Sequence, residues 1–273
     1  MERPWGHWPE GLCPGLISDV AADSADNIYV CQRFDTLAGV VGAPIVAFDA
    51  GGNYLRSWGE DLVADAHMLC ITPDDRVLVV DRDAHQILAF DTRGTLLFSL
   101  GERHRPNAPF NHPTDVAVAP NGDLYVSDGY GASQVHCFTA AGALKRSWGK
   151  PGRGPGEFAT PHGIWVLPDG RVLVGDREND RIQVFSPEGD FLAAWGDLYR
   201  PMDIWADAQG KTYVSDQIPR LSLFDPDGQL IGRCRPVLNG GHGLRGDSAG
   251  NIYLAEPNPG RVTKLWLDEA VGG

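Results

Sequence analysis

Six copies of one short pattern run along this 273-residue chain. A repeat of that spacing can close only a few kinds of fold. Four copies are plain: PTDVAVAPNGDLYVSD (113–128), PHGIWVLPDGRVLVGD (161–176), PMDIWADAQGKTYVSD (201–216) and GGHGLRGDSAGNIYLAE (240–256). Two are weaker: LISDVAADSADNIYVCQ (16–32) and AHMLCITPDDRVLVVD (66–81). Each holds an apolar strand, a Pro/Asp/Gly/Asn turn and a second strand ending near an acid, with the period-two alternation of half-buried strands. A second hairpin follows most copies, as in AFDAGGNYLRSWG (47–59), AFDTRGTLLFSLG (89–101), CFTAAGALKRSWG (137–149) and VFSPEGDFLAAWG (184–196). LFDPDGQLIGRC (223–234) is a degenerate fifth copy. Each unit therefore carries four strands in about 40–49 residues, the signature of a β-propeller. The expected fold is all-β: one six-bladed propeller over residues 1–273, with four-stranded blades around a central channel. The last unit, ending RVTKLWLD (261–268), lacks an outer strand. The segment before Leu16 is expected to supply it and to close the ring, removing the free sheet edges.

The ring gathers residues that are far apart in sequence. Taking the start of each first strand as a slot, the six occupants are Ser18, His67, Thr114, His162, Met202 and His242. Histidine thus recurs in every second copy. Three imidazoles from alternate blades would converge on one axial point, which is a metal site. Three neutral imidazoles leave an open position on tetrahedral Zn²⁺, the pattern of catalytic zinc. The same ligands suit Fe²⁺, Ni²⁺ or Cu²⁺.

Fourteen residues after each slot stand Gln32, Asp81, Asp128, Asp176, Asp216 and Glu256, the ends of the second strands. An antiparallel hairpin puts its start and its end at the same face of the disc. The acids are read as structural, holding the strand ends. The next residues are Arg33, Arg82, Gly129, Arg177, Gln217 and Pro257, and Tyr130 follows in the third copy. One mouth of the channel should therefore carry three histidines, three arginines and a tyrosine. Arg33 and Arg177 could clamp a carboxylate bidentately, with Arg82 assisting; each could instead pair with a neighbouring acid such as Asp176 or Asp81. The remaining histidines (7, 85, 104, 112 and 136) fall in turns or outer strands, and of these only His112 adjoins a slot.

Composition narrows the partners. A formal net charge of −13 disfavours nucleic acid and anionic membranes, yet local arginines still allow a small anionic substrate. No apolar run approaches a membrane span. MERPWGHWPEG has no apolar core of the signal-peptide kind, and five cysteines without a C-x-x-C suggest free thiols in a reducing compartment. A cytoplasmic location is the expectation.

At PTDVAVAPNGDLYVSDGYGASQV, PGEFATPHGIWVLPDG and GDRENDRIQVF the chain resembles the NHL-repeat propellers and, among them, the peptidyl-α-hydroxyglycine α-amidating lyase domain. The resemblance implies zinc held by His67, His162 and His242, a catalytic tyrosine at Tyr130, and active-site arginines at Arg33 and Arg177. It implies cleavage of a carbinolamide, an α-hydroxylated N-acylglycine, into an amide and glyoxylate. There are departures. The family's third histidine motif is Met-Pro-His-Asp, whose Asp binds a structural Ca²⁺; here Gly240 and Gly243 hold the Met and Asp positions, which puts the calcium in question. Gly131 stands where the family has a cysteine beside the tyrosine, and Arg82 where it has an apolar residue.

The leading expectation is a metal-dependent lyase acting on a small α-hydroxy-amide carboxylate. Tyr130 would take the hydroxyl proton and Arg33, Arg177 and Arg82 would hold the carboxylate. A metal-dependent hydrolase, or another lyase step at the same site, is the alternative within enzymes. A non-catalytic NHL interaction scaffold is the alternative outside them.

Overall fold

The computed structural model describes residues 1–35, 38–237 and 239–266. They form six four-stranded antiparallel sheets in a ring, as the repeat predicts. Blade one is Leu16–Ala22, Ile28–Arg33, Ile45–Phe48 and Tyr54–Trp58. Blade two is Ala66–Ile71, Val77–Asp81, Gln86–Phe90 and Leu96–Leu100. Blade three is Asp115–Val118, Leu124–Asp128, Gln134–Phe138 and Leu144–Trp148. Blade four is Pro161–Val166, Val172–Asp176, Arg181–Phe185 and Phe191–Trp195. Blade five is Pro201–Ala206, Thr212–Asp216, Leu221–Phe224 and Leu230–Cys234. The first strands of successive blades touch one another around the axis, and the sixth returns to the first.

The sixth blade is closed by the N-terminus. Its own strands are Leu244–Gly246, Ile252–Glu256 and Arg261–Leu265; the outer strand is Glu2–Trp5, with Glu2 opposite Lys264 and Trp5 opposite Val262. Residues 267 and 268 of the last repeat lie outside the described residues. Trp5 is buried at 2% exposure, edge-on to Tyr253 at 4.9 Å and Phe48 at 5.7 Å between centroids. The clasp is thus a packed joint between blades six and one.

The repeated Trp and Gly have one joint cause. The tryptophan ending a blade lies on the turn glycine of the next, so Trp58 covers Gly94, Trp148 covers Gly189 and Trp195 covers Gly228. A Cβ at those glycines would stand within 2.9 Å of the indole. Small and large residues interlock at each blade junction, where the apolar faces of neighbouring sheets bury one another.

The residues that end the second strands, four aspartates and the amide of Gln32, hold the strand ends. Gln32, Asp81, Asp128, Asp176 and Asp216 are all fully buried, and each accepts a backbone N–H from the connection entering its blade. The donors are Gly15 (2.8 Å), Ala64 (2.9 Å), Asn111 (2.8 Å), Ala159 (2.8 Å) and Tyr199 (3.3 Å). Glu256 instead takes the side chains of Arg261 and Thr263. One histidine departs from expectation: His136 lies buried in the third strand of its blade, between Ser147 Oγ (2.7 Å) and Asp128 Oδ2 (3.4 Å). A polar pair within the sheet satisfies its ring there.

Candidate metal centre and active site

The slot residues sit at irregularities in the innermost hairpins. Pairing runs Ala66 with Asp81 and Pro161 with Asp176, then shifts register before Leu69 and Ile164. His67 and His162 fall within those bulges, which re-aim a side chain that a regular strand would alternate away. His242 precedes its strand and is held by its backbone N–H donating to Ala255 O (2.8 Å).

The three rings meet on the axis, with centroids 5.0, 5.1 and 5.1 Å apart. One ring nitrogen from each lies within 4.8 Å of the other two. Each Nδ1 faces the main-chain carbonyl of the next blade's slot residue: His67 to Thr114 (2.6 Å), His162 to Met202 (2.7 Å) and His242 to Ser18 (2.8 Å). A carbonyl only accepts, so Nδ1 carries the proton and Nε2 keeps its lone pair. The ring of blades thereby sets all three tautomers, and three Nε2 lone pairs are presented to one point. Such outer partners raise ligand basicity and fix ring orientation. His67 and His162 are fully buried and His242 partly so. Burial, then the neighbouring imidazoles, holds His67 and His162 well below the usual histidine range. Burial lowers His242 to about 4. Three neutral imidazoles with inward lone pairs are the donor set a divalent metal needs.

Tyr130 reaches this centre. Its Oη lies 3.1 Å from His67 Nε2 and 3.1 Å from His162 Nε2, and Arg177 Nη1 donates to it at 3.2 Å. The close-packed SDGYG turn places it. Tyr130 N donates to His112 O (3.3 Å) and Gly131 N to Asn111 O (2.9 Å). A Cβ at Gly131 would stand 2.3 Å from Asn111 Oδ1 and 2.6 Å from Asn111 O, so a cysteine side chain has no room at this position.

All three arginines stand at this mouth, each already holding an acid. Arg33 is bidentate on Asp65 (2.6 and 3.0 Å), and Arg177 binds Glu178 (3.0 Å), which also holds Arg200 (3.0 Å). These are not the acids named as alternatives in the sequence, because Asp81 and Asp176 are engaged with backbone N–H groups and, for Asp176, Arg181. Among the described residues, Asp65 takes two of Arg33's five N–H groups, which leaves three for a ligand. Arg82 is the most occupied, contacting Asp65 (2.9 Å) and Asp83 (2.8 Å). Its guanidinium lies 5.6 Å from the Tyr130 ring centroid, and that of Arg177 lies 5.2 Å away.

A second ring of side chains lies one position further along the non-histidine blades. The residues after the non-histidine slots are Asp19, Asp115 and Asp203, all buried. Each accepts the backbone N–H two residues beyond a histidine: Leu69 (2.8 Å), Ile164 (2.8 Å) and Leu244 (2.7 Å). Burial, with mutual repulsion, pushes Asp19 and Asp115 well up, and burial raises Asp203 to about 7. Asp19 Oδ1 lies 2.0 Å from where a Cβ on Gly243 would sit. An aspartate at position 243 has no room here, so a calcium held as in the resembled family does not fit these residues.

With fold and site in place, comparison with known proteins gives the class. The NHL-repeat model matches residues 110–138 and 158–185. The chain is a six-bladed β-propeller with NHL repeats. Among curated relatives, mouse "Peptidyl-glycine alpha-amidating monooxygenase" is 31% identical across 96% of this chain and 32% of its own length. The "Probable peptidyl-alpha-hydroxyglycine alpha-amidating lyase" of Caenorhabditis elegans is 37% identical across 58% of this chain and 49% of its own. The chain spans about a third of the length of the first curated relatives it matches. A solved virginiamycin B lyase from Staphylococcus aureus superposes with TM-score 0.69 at 16% identity, covering 95% of this chain and 84% of that one, and shows the fold alone. Two of the matched relatives, from Drosophila melanogaster and Caenorhabditis elegans, carry an α-amidating lyase in their names.

Proposed function

We propose that this protein is a metal-dependent lyase that breaks the C–N bond of an α-hydroxylated N-acylglycine or closely similar carbinolamide carboxylate. One observation carries the reading: Tyr130 Oη stands 3.1 Å from two inward-facing Nε2 atoms of the histidine triad while Arg177 donates to it. A proton-transfer group, an anion clamp and a three-nitrogen centre therefore share one point. A divalent metal held by His67, His162 and His242, zinc being the first choice, would supply Lewis-acid polarisation of a substrate oxygen.

The chain's own residues do the rest. Arg177 and Arg33 hold the substrate carboxylate with the N–H groups their acids leave free. Arg82 adds positive charge against the Tyr130 ring. Tyr130 Oη takes up the hydroxyl proton as the C–O bond becomes C=O and gives its own phenolic proton onward to the departing nitrogen, so the phenol ends as it began. The C–N electron pair leaves on nitrogen, which takes up a proton. The products are a primary amide and an oxo acid, and no water is consumed. General acid–base help of this kind contributes about 10²–10⁴-fold. Tyr130→Phe should cost roughly that factor in kcat on N-benzoyl-α-hydroxyglycine while leaving bound metal unchanged. Full turnover by that variant would remove Tyr130 from the proton transfer. The site also speaks against a pure scaffold, since buried convergent imidazoles serve no docking surface. The net charge of −13 works against an anionic partner at long range, so the local arginines must carry the recognition of a small anionic substrate.

A further inference from the structure

Beside Tyr130 the mouth extends into a groove of about 700 Å³ between blades three and four. Its lining includes Tyr130, Ser133, Lys150, Arg153, Phe158 and Thr160. No acidic side chain lines it, in a chain whose formal charge is −13. Lys150 is 73% exposed and touches Glu157 at 3.3 Å, whereas the Arg153 guanidinium has no partner among the described residues.

The outer wall is built rather than loose. Residues Lys150–Pro151 pair in parallel with Glu157–Phe158. Glu157 Oε2 accepts the backbone N–H groups of Arg153 (3.0 Å) and Gly154 (2.9 Å). Blade four then pins the wall: Asn179 Nδ2 donates to Gly152 O (2.9 Å), and Arg181 Nη2 to Gly154 O (2.8 Å) and Glu157 O (3.1 Å). Asn179 and Arg181 also bind Asp176 Oδ2, at 2.9 and 2.8 Å. Asp176 directly precedes Arg177, so the wall and the arginine that touches Tyr130 share one anchor.

We propose that this groove is the subsite for the acyl side of the substrate, and that Lys150 and Arg153 select an acyl chain carrying a carboxylate. The inference rests on the lyase reading above. The α-hydroxyglycine carboxylate turns toward Arg33 and Arg177, so the acyl group must leave the Tyr130 centre by another path. The groove is an opening that Tyr130 itself lines. Its volume lies in the range of small-molecule sites, enough for a dicarboxylic acyl chain or the last acidic residues of a peptide. Charge complementarity at its rim sets preference more than raw affinity.

The test uses the metal-loaded full chain and unreactive probes that lack the α-hydroxyl: N-succinylglycine, whose acyl chain ends in a carboxylate, and N-butyrylglycine, whose chain does not. Isothermal titration at low ionic strength should show the succinyl compound binding about 5–10-fold tighter, as two partly screened charge contacts allow. That advantage should vanish in a Lys150→Ser/Arg153→Ser variant and in high salt, with butyrylglycine binding unchanged. Arg153→Glu should invert the preference. Equal affinity for both probes in the unaltered protein, or a preference that survives both variants, overturns the subsite alone. Binding of neither probe overturns the lyase reading and the subsite with it.

Discussion

His242 offers a quantitative check on the triad. Burial holds its imidazole at about 4, against about 6.5 in an unfolded chain. The shift is downward, so the neutral form belongs to the fold. The stability it contributes is fully present above the unfolded value and is lost as pH falls through the folded one. Two and a half units at 1.36 kcal/mol each give ~3.4 kcal/mol in the acid limit. Between pH 7 and pH 4, where the folded group is half protonated, the loss is about 3 kcal/mol. The carboxylates Asp19, Asp115 and Asp203 work in the opposite direction. They are raised, so their contribution is present below about pH 4 and is lost as pH climbs through their raised values, which for Asp203 is about 7. A single pH profile would therefore mix two signs. The difference between the native chain and His242→Ala cancels the carboxylates. Urea unfolding of metal-stripped protein should show the native chain losing about 3 kcal/mol more than the variant over that interval. Parallel pH profiles for the two proteins would show that His242 does not reside neutral in a dry, crowded triad.

Two further expectations follow from the joints of the ring. Trp5→Ala empties a site buried between blades six and one and should lower stability by about 3–5 kcal/mol, read as a reduced urea midpoint at unchanged slope; a surface-like effect under about 0.5 kcal/mol would mean the clasp does not close the propeller. Asp65→Asn releases Arg33 from its bidentate partner and should raise KM several-fold for an anionic substrate while kcat changes little; an unchanged KM would show that Arg33 needs no fixed seat.

The sequence disclosed what is periodic and concealed what is not. Six blades followed from hairpins recurring in step, and His67, His162 and His242 from one slot filled in alternation. The fixed offset to Asp81 and Asp176 puts Arg82 and Arg177 on the mouth that carries Tyr130, and their guanidiniums lie 5.6 and 5.2 Å from its ring centroid. The N-terminal clasp followed from the missing outer strand. The partners of the arginines were not legible, because Asp65 and Glu178 come from connections between strands, where chain geometry rather than the repeat decides what meets. The groove wall at 149–160 is likewise an irregular connection, held by Asn179 and Arg181 across a distance no local pattern encodes. Asp19, Asp115 and Asp203 are a different kind of omission. They alternate as strictly as the histidines, one position later, but isolated aspartates in strands resemble turn residues until the bulges bring them to the channel. Gly243 carried a second meaning that only packing reveals: it makes room for the carboxylate of Asp19.

The central claim is that the triad and Tyr130 split a carbon–nitrogen bond without adding water. The most direct measurement is product analysis of N-benzoyl-α-hydroxyglycine turned over in ¹⁸O-water by metal-loaded native chain and by His162→Ala. The account requires benzamide and glyoxylate from the native chain, no ¹⁸O in the amide, and no turnover by the variant. Benzoic acid carrying ¹⁸O, or amide formed equally well without His162, would contradict it.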